Sequence, residues 1–194
     1  FLFQVKGEGT RWLSARKPGD MIDIIAPIGR GFSLPESGEA VLVAGGIGIA
    51  PLVFLGQAAL KKGLPVTLLY GARDRHGIYG IDGIKSEGAV IKIATEDGSI
   101  GEKGLVTMLL EKHILSAKPA GIFACGPKPM LEAVAKIGKQ NGIPVQVSLE
   151  ERMACGVGAC RGCAVLVKNE HGKGYRNVCS DGPVFGGEEV FFDD

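Results

Sequence analysis

Four cysteines within a stretch of 25 residues constrain this chain more than any other feature. Cys155, Cys160 and Cys163 follow the spacing C-x4-C-x2-C, and fifteen residues separate the last of them from Cys179. Thiolates so close in sequence converge on one centre only if the backbone between them curls tightly, and the intervening glycines allow this. Residues 150–194 show no helix-length apolar pattern, so a segment this short needs a cross-link or a bound metal to be stable. The spacing predicts that a metal centre stabilises the segment.

The same spacing indicates which metal centre is present. C-x4-C-x2-C followed by a distant cysteine is the plant-type [2Fe–2S] arrangement, although the final gap here is shorter than in plant ferredoxins. The alternative is a zinc site with four cysteine ligands, but zinc ribbons favour two C-x2-C pairs and this chain has one. We therefore predict a [2Fe–2S] cluster on Cys155, Cys160, Cys163 and Cys179, with zinc as the alternative.

Charge and cysteine count exclude several classes of protein. The 22 basic and 21 acidic residues nearly cancel, which argues against partners such as nucleic acid or an anionic membrane. No apolar run has the length of a membrane span. The fifth cysteine, Cys125, stands alone and would be left over from a disulfide framework, and nothing resembles a signal peptide. We expect a cytoplasmic protein.

Strand and helix patterns alternate through residues 39–149. Apolar runs predict strands at 40–44, 66–70, 90–94, 121–124 and 145–149, with helices at 51–62, 104–113 and 127–141. Such alternation is typical of an α/β domain with a parallel sheet and helices on both faces. Residues 1–38 instead suggest short strands at 1–5, 7–10 and 21–25, too few to bury a core. We interpret them as the tail of a β-barrel whose earlier strands are missing from this chain.

A small-residue loop follows the first predicted strand of the α/β domain. It contains Gly45, Gly46, Gly48, Ala50 and Pro51 and opens a helix. Small residues there would let a pyrophosphate approach the backbone at the helix N-terminus, where free N–H groups favour negative charge. The loop lacks the G-x-G-x-x-G fingerprint, so a tight strand–helix turn without a ligand is the alternative.

Two later turns fall at strand ends, where ligands bind in such sheets. Arg73 and Asp74 follow the second strand, near the expected adenosine ribose. Asp74 as a ribose acceptor would favour NAD over its phosphorylated form; the alternative is a solvated turn residue. Cys125, Gly126 and Pro127 end a later strand, and we place Cys125 beside the nicotinamide rather than treat it as a small buried hydrophobe.

No catalytic side chain is predicted. His76, His113 and His171 have no acid or nucleophile at a useful spacing and are interpreted as surface residues.

Longer motifs carry a family resemblance over the whole chain. GGIGIAPL at 45–52 and CGPKPML at 125–131 resemble the pyrophosphate loop and the nicotinamide-side turn of the ferredoxin–NADP reductase superfamily. EERMACGVGACRGC at 150–163, VCSDGPVF at 178–185 and TEDGSIGEKGLVT at 95–107 are more specific. They resemble one family within it, the electron-transfer subunits of two-subunit, NAD-dependent (type B) dihydroorotate dehydrogenases.

The resemblance implies three domains: the end of an FAD-binding β-barrel (1–38), an NAD-binding domain (39–149) and a [2Fe–2S] domain (150–194). It assigns FAD contacts to Leu2, Phe3 and Gln4 and to Gly9 and Thr10. Gln4 stands where the family usually has a basic residue, and the strand with the family's Arg-Pro-x-Ser flavin motif is absent. We therefore expect this chain to hold FAD weakly or not at all, and the native protein to have about 100 further N-terminal residues.

The resemblance also implies a partner and a reaction. An FMN-containing catalytic subunit, assembled as a heterotetramer, would oxidise dihydroorotate, and electrons would reach NAD through the cluster and FAD, in pyrimidine biosynthesis. Residues 150–163 mix Met153, Val157 and Ala159 with charged side chains, which suggests an interface, although they could simply cover the cluster. Two alternatives stay open: a reductase component that feeds another iron–sulfur or oxygenase partner, and a zinc-stapled nucleotide-binding regulator.

Overall fold

A mainly parallel sheet forms the centre of the computed structural model, which describes residues 2–170 and 172–192. Its seven strands lie in the order β4-β3-β2-β1-β5-β6-β9, and only β9 runs antiparallel to its neighbour. The remaining strands, β7 and β8, form a separate antiparallel hairpin. The strands are β1 (Ala40–Gly45), β2 (Val66–Ala72), β3 (Val90–Thr95), β4 (Glu102–Lys103), β5 (Gly121–Cys125), β6 (Val145–Ser148), β7 (Ala164–Asn169), β8 (Gly172–Asn177) and β9 (Val184–Gly186).

Helices cover both faces of the sheet. The helices are α1 (Glu8–Ser14), α2 (Ile49–Lys61), α3 (Asp82–Ser86), α4 (Val106–Ser116) and α5 (Lys128–Asn141). On one face, Leu52 of α2 and Ile84 of α3 pack in the same core cluster as Leu42 of β1. On the other, Leu109 of α4 and Leu131 of α5 share a cluster with Val43. Every residue of β1 is therefore buried, which explains its unbroken apolar sequence.

The predictions for residues 39–149 are confirmed as to type and order. All five predicted strands form, and the three predicted helices begin and end within three residues of the expected bounds. The pattern did not predict the five-residue helix α3 or the two-residue strand β4.

The strands predicted before residue 39 are wrong. Residues 2–39 contain no strand apart from a single bridge between Arg30 and Pro183, and residues 8–14 form α1. The Thr10 hydroxyl accepts hydrogen bonds from the N–H groups of Lys6 (2.9 Å) and Gly7 (3.0 Å), which favours helical geometry there. Met21 is almost fully exposed, since no described strand lies beside it. A strand needs a paired neighbour, and this segment has none.

The cysteine-rich segment is joined to the main sheet. β9 pairs with β6, with Phe185 opposite Val147, so the last strand of this segment becomes the edge of the nucleotide-binding sheet. Phe185 also packs in a small core with Val167, Cys163 and Cys179. Residues 150–192 therefore share hydrogen bonds with residues 39–149.

His113 is not a surface residue, contrary to the prediction. It is buried on α4, with Nε2 2.9 Å from Glu39 Oε2 and Nδ1 3.4 Å from Lys92 Nζ. The error arose because spacing along the chain cannot show that Glu39, 74 residues away, meets the inner face of this helix. His76 is exposed as predicted, and His171 lies outside the described residues. No helix of the described chain is long and apolar enough to cross a lipid bilayer.

Candidate functional site

The strand order brings two predicted ligand-binding turns together. β1 lies between β2 and β5. The strands that follow β1 in sequence, β2 to β4, are added on one side of it, and β5 and β6 are then added on the other side. In open parallel sheets this reversal creates a crevice at the carboxyl ends of the strands. The glycine loop follows β1 and the turn of Cys125, Gly126 and Pro127 follows β5, where the two strands are paired in parallel. Both turns therefore border this crevice.

Part of the glycine pattern serves packing between these two turns. A Cβ on Gly45 would lie 2.7 Å from both Met130 Sδ and Pro127 Cδ. A Cβ on Gly48 would overlap the carbonyl group of Cys125. The glycine loop and the β5 turn are thus in direct backbone contact, and side chains are excluded between them.

Gly46 differs from its neighbours and fits a ligand-binding role. Its φ is +52°, which favours glycine, and nothing lies within 4 Å of the place where a Cβ would stand. Gly48 caps α2 without a side-chain hydrogen bond. In the first turn, the Ile49 N–H donates to the carbonyls of Gly46 and Ile47, and Pro51 has no N–H. Ala50 is half-buried and Pro51 is exposed in the first turn of α2. An anionic pyrophosphate fits this open backbone.

Sequence reasoning missed Tyr70, a buried aromatic residue near the end of β2. Its hydroxyl lies 3.1 Å from the carbonyl oxygen of Gly46 and 2.9 Å from that of Gly77. Burial raises the pKa of Tyr70 above its usual value, so the phenol keeps its proton and remains a donor. A polar aromatic side chain in a buried, mostly apolar strand was the available signal.

Asp74 lies where the prediction placed it, just beyond the carboxyl end of β2, next to the exposed Arg73. One oxygen, Oδ1, accepts a hydrogen bond from the His76 N–H at 2.8 Å and caps a short 3₁₀ turn, Arg75–Gly77. The capping contact supports the alternative of a turn residue. The location beside the glycine loop is also what the ribose interpretation requires, so the role of Asp74 stays a prediction.

Cys125 stands apart from the other cysteines and is half-buried at the end of β5. Burial raises the pKa of its thiol to about 11, although a hydrogen bond with Ser148 acts in the opposite direction. The thiol is therefore neutral at physiological pH and unsuited to nucleophilic chemistry. Gly126 and Pro127, the next residues, line a cavity of about 410 Å³ that extends to Glu150 and Tyr175 of the cysteine-rich segment.

The four cysteines of the C-terminal segment form two pairs. Cys163 and Cys179 are buried, and their sulfur atoms are 3.3 Å apart. Cys155 is half-buried and Cys160 is exposed, with the N–H of Cys160 donating to Cys155 Sγ at 3.4 Å. Two thiolates on one tetrahedral metal at ~2.3 Å lie roughly 3.8 Å apart, so the buried pair is close to that geometry.

Backbone N–H groups point at these sulfur atoms, as anionic thiolates require. Cys155 Sγ also accepts a hydrogen bond from Val157 N–H at 3.4 Å, and Cys160 Sγ accepts one from Gly162 at the same distance. The N–H bonds from Cys160 and Val157 lower the pKa of Cys155 to about 6. Donors of this kind stabilise iron–sulfur clusters. The donor set therefore fits a cluster.

The arrangement in pairs also bears on the zinc alternative. Within residues 2–170 and 172–192, no three cysteine, histidine or acidic side chains converge as ligands of a single metal ion. A four-cysteine zinc site needs all four sulfur atoms around one ion. A two-iron cluster needs two thiolates at each iron, which matches the buried Cys163 and Cys179 together with the more exposed Cys155 and Cys160. The paired thiolates therefore fit a two-iron cluster.

The residues assigned to FAD are exposed or half-buried. Gly9 and Thr10 belong to α1, which buries none of its residues. In the extended segment before this helix, Leu2 and Gln4 are exposed and Phe3 is half-buried. These residues form no enclosed flavin site in the described chain, so their role in FAD binding stays a prediction.

Comparisons with known proteins agree with this site. The family model "Iron-sulfur cluster binding domain of dihydroorotate dehydrogenase B" matches residues 150–191, and "Oxidoreductase NAD-binding domain" matches 42–136. A protein of Caldanaerobacter subterraneus subsp. tengcongensis is 42% identical over 98% of this chain and 74% of its own length. One of Desulforamulus reducens is 45% identical over 99% and 74%. Both are named "Dihydroorotate dehydrogenase B (NAD(+)), electron transfer subunit".

A solved structure shares the fold over nearly the whole chain. It has a TM-score of 0.84 and 33% identity, and the match covers 98% of this chain and 68% of that one. Its title is "Insights into flavin-based electron bifurcation via the NADH-dependent reduced ferredoxin-NADP oxidoreductase structure".

An iron–sulfur binding segment that is joined through β9 to a dinucleotide-binding sheet defines an oxidoreductase subunit that exchanges electrons with NAD. Its cofactors are a [2Fe–2S] cluster and NAD. More narrowly, the chain belongs to the family of dihydroorotate dehydrogenase B (NAD(+)) electron transfer subunits and spans about three quarters of the length of the curated relatives, 74% in both cases.

Proposed function

We propose that this chain is the electron-transfer subunit of an NAD-dependent dihydroorotate dehydrogenase in pyrimidine biosynthesis. Its partner is an FMN-containing catalytic subunit that oxidises dihydroorotate, and the two assemble as a heterotetramer. The observation that carries the proposal is the four-cysteine segment paired, through β9, with a dinucleotide-binding sheet. The iron–sulfur model of this family matches residues 150–191, a general NAD-binding model matches 42–136, and a relative named for this function covers 98% of the chain.

The side chains and backbone of this chain bind and position the cofactors. The four thiolates hold the cluster, and neighbouring N–H groups stabilise its charge. The open backbone at Gly46 and the start of α2 receive the pyrophosphate, with Asp74 towards the ribose and Cys125 on the nicotinamide side. When bound, the cluster carries single electrons and FAD converts them into hydride transfer to NAD. No acid or base of this chain is required.

Metal and flavin analysis of anaerobically purified protein tests the proposal. We expect a red-brown protein with about two irons and two sulfides per chain and little bound flavin. Mixed with its FMN subunit, the full-length protein should then reduce NAD in a dihydroorotate-dependent way. Zinc as the only metal would overturn the cluster, and a colourless protein would favour a nucleotide-binding regulator.

A second candidate is supported by the 33% identical flavin-dependent structure, whose title names reduced ferredoxin and NADP rather than dihydroorotate. Under that alternative the chain serves a different electron-transfer partner. Comparing dihydroorotate with reduced ferredoxin as electron donor to the assembled enzyme separates the two. NAD reduction with ferredoxin alone would favour the second candidate.

Nucleotide choice gives the first mutational prediction. The Asp74 carboxylate would repel a 2′-phosphate, so NADH should bind about tenfold or more tightly than NADPH. Asp74→Asn keeps a side-chain oxygen that can cap the turn at His76 but removes the charge, so the preference should shrink. Titrating both nucleotides into both proteins measures this. Equal affinities in the unaltered protein would remove Asp74 from any discriminating role.

The loop that carries the cysteines presents a surface suited to a partner. Met153 and Val157 are 56% and 59% exposed, so both apolar side chains are accessible to a partner. Arg161 lies between two exposed residues, Cys160 and Gly162, with φ of +57°, a conformation that non-glycine residues rarely adopt. Arg161 is therefore a charged residue at a backbone position that favours glycine. We infer that Arg161 contacts the FMN subunit.

Three substitutions at Arg161 separate its charge from its backbone conformation. Arg161→Glu should weaken binding to the FMN subunit by about tenfold or more and leave the cluster spectrum intact. Arg161→Gly removes the charge and the strained φ, so it should weaken binding less while leaving the loop folded. Arg161→Lys, the matched control, should bind almost normally. Dihydroorotate-dependent NAD reduction should fall while NADH oxidation by an artificial acceptor persists in full-length protein. Loss of both activities together, or of neither, would exclude this loop as the docking surface.

A further inference from the structure

The Tyr70 hydroxyl lies between two separate loops at the nucleotide-binding edge. It is within hydrogen-bond distance of the Gly46 carbonyl in the glycine loop and the Gly77 carbonyl in the turn after β2. The tyrosine ring is fully buried in the core beneath these loops. The hydroxyl is therefore the polar end of a rigid, packed side chain.

These two loops are the ones that the proposed NAD site uses together. Gly46 is the open backbone position offered to the pyrophosphate, and Gly77 ends the 3₁₀ turn that Asp74 caps. β1 and β2 are paired with Ala44 opposite Tyr70, and the hydroxyl contacts Gly46 after β1 and Gly77 after β2. A dinucleotide must contact both loops at once, so their separation determines how well it binds.

We propose that Tyr70 is a positioning residue for the dinucleotide: its hydroxyl holds the glycine loop and the Asp74 turn at the separation that pyrophosphate and ribose require. The proposal rests on the proposed NAD site. A phenol has one proton for two carbonyl acceptors, so both loops depend on the same donor. Phenylalanine at this position keeps the ring packed but leaves both carbonyls without that donor.

The test compares Tyr70→Phe with a control on the same strand. Thr67→Val also removes a buried hydroxyl from β2, but at the opposite end of the strand, where Thr67 donates to Glu39 at 2.6 Å. Titration of NADH and of ADP-ribose, which spans both loops, gives the affinities. Thermal unfolding and the cluster absorption report on folding. Losing the hydrogen bond should weaken both ligands about fivefold in Tyr70→Phe. In Thr67→Val the affinities should stay within about twofold while the melting temperature falls.

In the assembled enzyme, Tyr70→Phe should raise the KM for NAD by a similar factor, while kcat changes less than about twofold. Unchanged nucleotide affinity in Tyr70→Phe, or an equal loss in Thr67→Val, would overturn the positioning role and leave the NAD site intact. Absence of NADH binding by the unaltered protein would instead overturn the proposed NAD site and this inference with it. The two failures are therefore distinguishable.

Discussion

Replacing Cys160 with serine is expected to remove most of the iron and to unfold much of the cysteine-rich segment. The small core of this segment contains Val167, Val178 and Phe185, and its other two buried members, Cys163 and Cys179, are themselves predicted ligands. So little apolar burial cannot hold the segment without the metal centre, and binding free energy is here folding free energy. Loss of one ligand should therefore have the largest effect of any single substitution considered.

Iron and sulfide content, visible absorption and amide hydrogen exchange measure this effect. Exchange protection should be lost in the β7–β8 hairpin but retained in part at β9, because β9 is hydrogen-bonded to β6. Cys125→Ser is the matched control, since Cys125 lies outside the two cysteine pairs and its loss should leave the iron content unchanged. A Cys160→Ser protein with full iron content would show that Cys160 is not a ligand.

Replacing Gly48 with alanine should abolish most nucleotide binding. The new Cβ would overlap the carbonyl group of Cys125, and neither partner is a flexible side chain that could move aside. The glycine loop and the β5 turn would have to separate. Overpacking of this kind costs about 2–3 kcal/mol, which corresponds to roughly 30- to 150-fold weaker NADH binding if the displacement is confined to the loop.

The control for this prediction is Gly83→Ala in α3, where the added Cβ would meet only Gln57 at an ordinary 3.5 Å. This variant should bind NADH normally. The cluster spectrum should be unchanged in both variants, because Cys125 packs against a different core cluster from the one that contains Cys163 and Cys179. Normal NADH affinity in Gly48→Ala would mean that the two loops can separate without loss of the binding site.

Sequence reasoning succeeded where a local pattern determines the structure. β1 is buried on both faces and reads as an unbroken apolar run, and the cysteine spacing identifies the cluster segment without any knowledge of the fold. It failed where the determinant is a distant contact. His113 is buried because Glu39 faces it, and β9 forms because β6 offers an unpaired edge. Tyr70 was missed for the same reason, since its importance depends on two carbonyl groups in separate loops.

In the residues before β1, sequence reasoning failed because the local pattern itself carries little information. α1 buries none of its residues, so no hydrophobic periodicity distinguishes it from the strands that were predicted. Its local support consists of the Thr10 hydrogen bonds and the Arg16 guanidinium placed 4.3 Å from the Trp12 ring centroid. Such contacts leave little trace in the hydrophobic pattern.

The pairing of β9 with β6 has a consequence for anyone who expresses parts of this protein. A fragment ending at residue 149 would contain every predicted NAD-binding element, yet β6 would become an open edge strand with unpaired N–H and C=O groups. Open apolar edges invite intermolecular strand addition and aggregation. Composition suggests a domain boundary at residue 149. The hydrogen bonds between β6 and β9 cross that boundary, so the NAD-binding unit should be expressed together with the cluster segment.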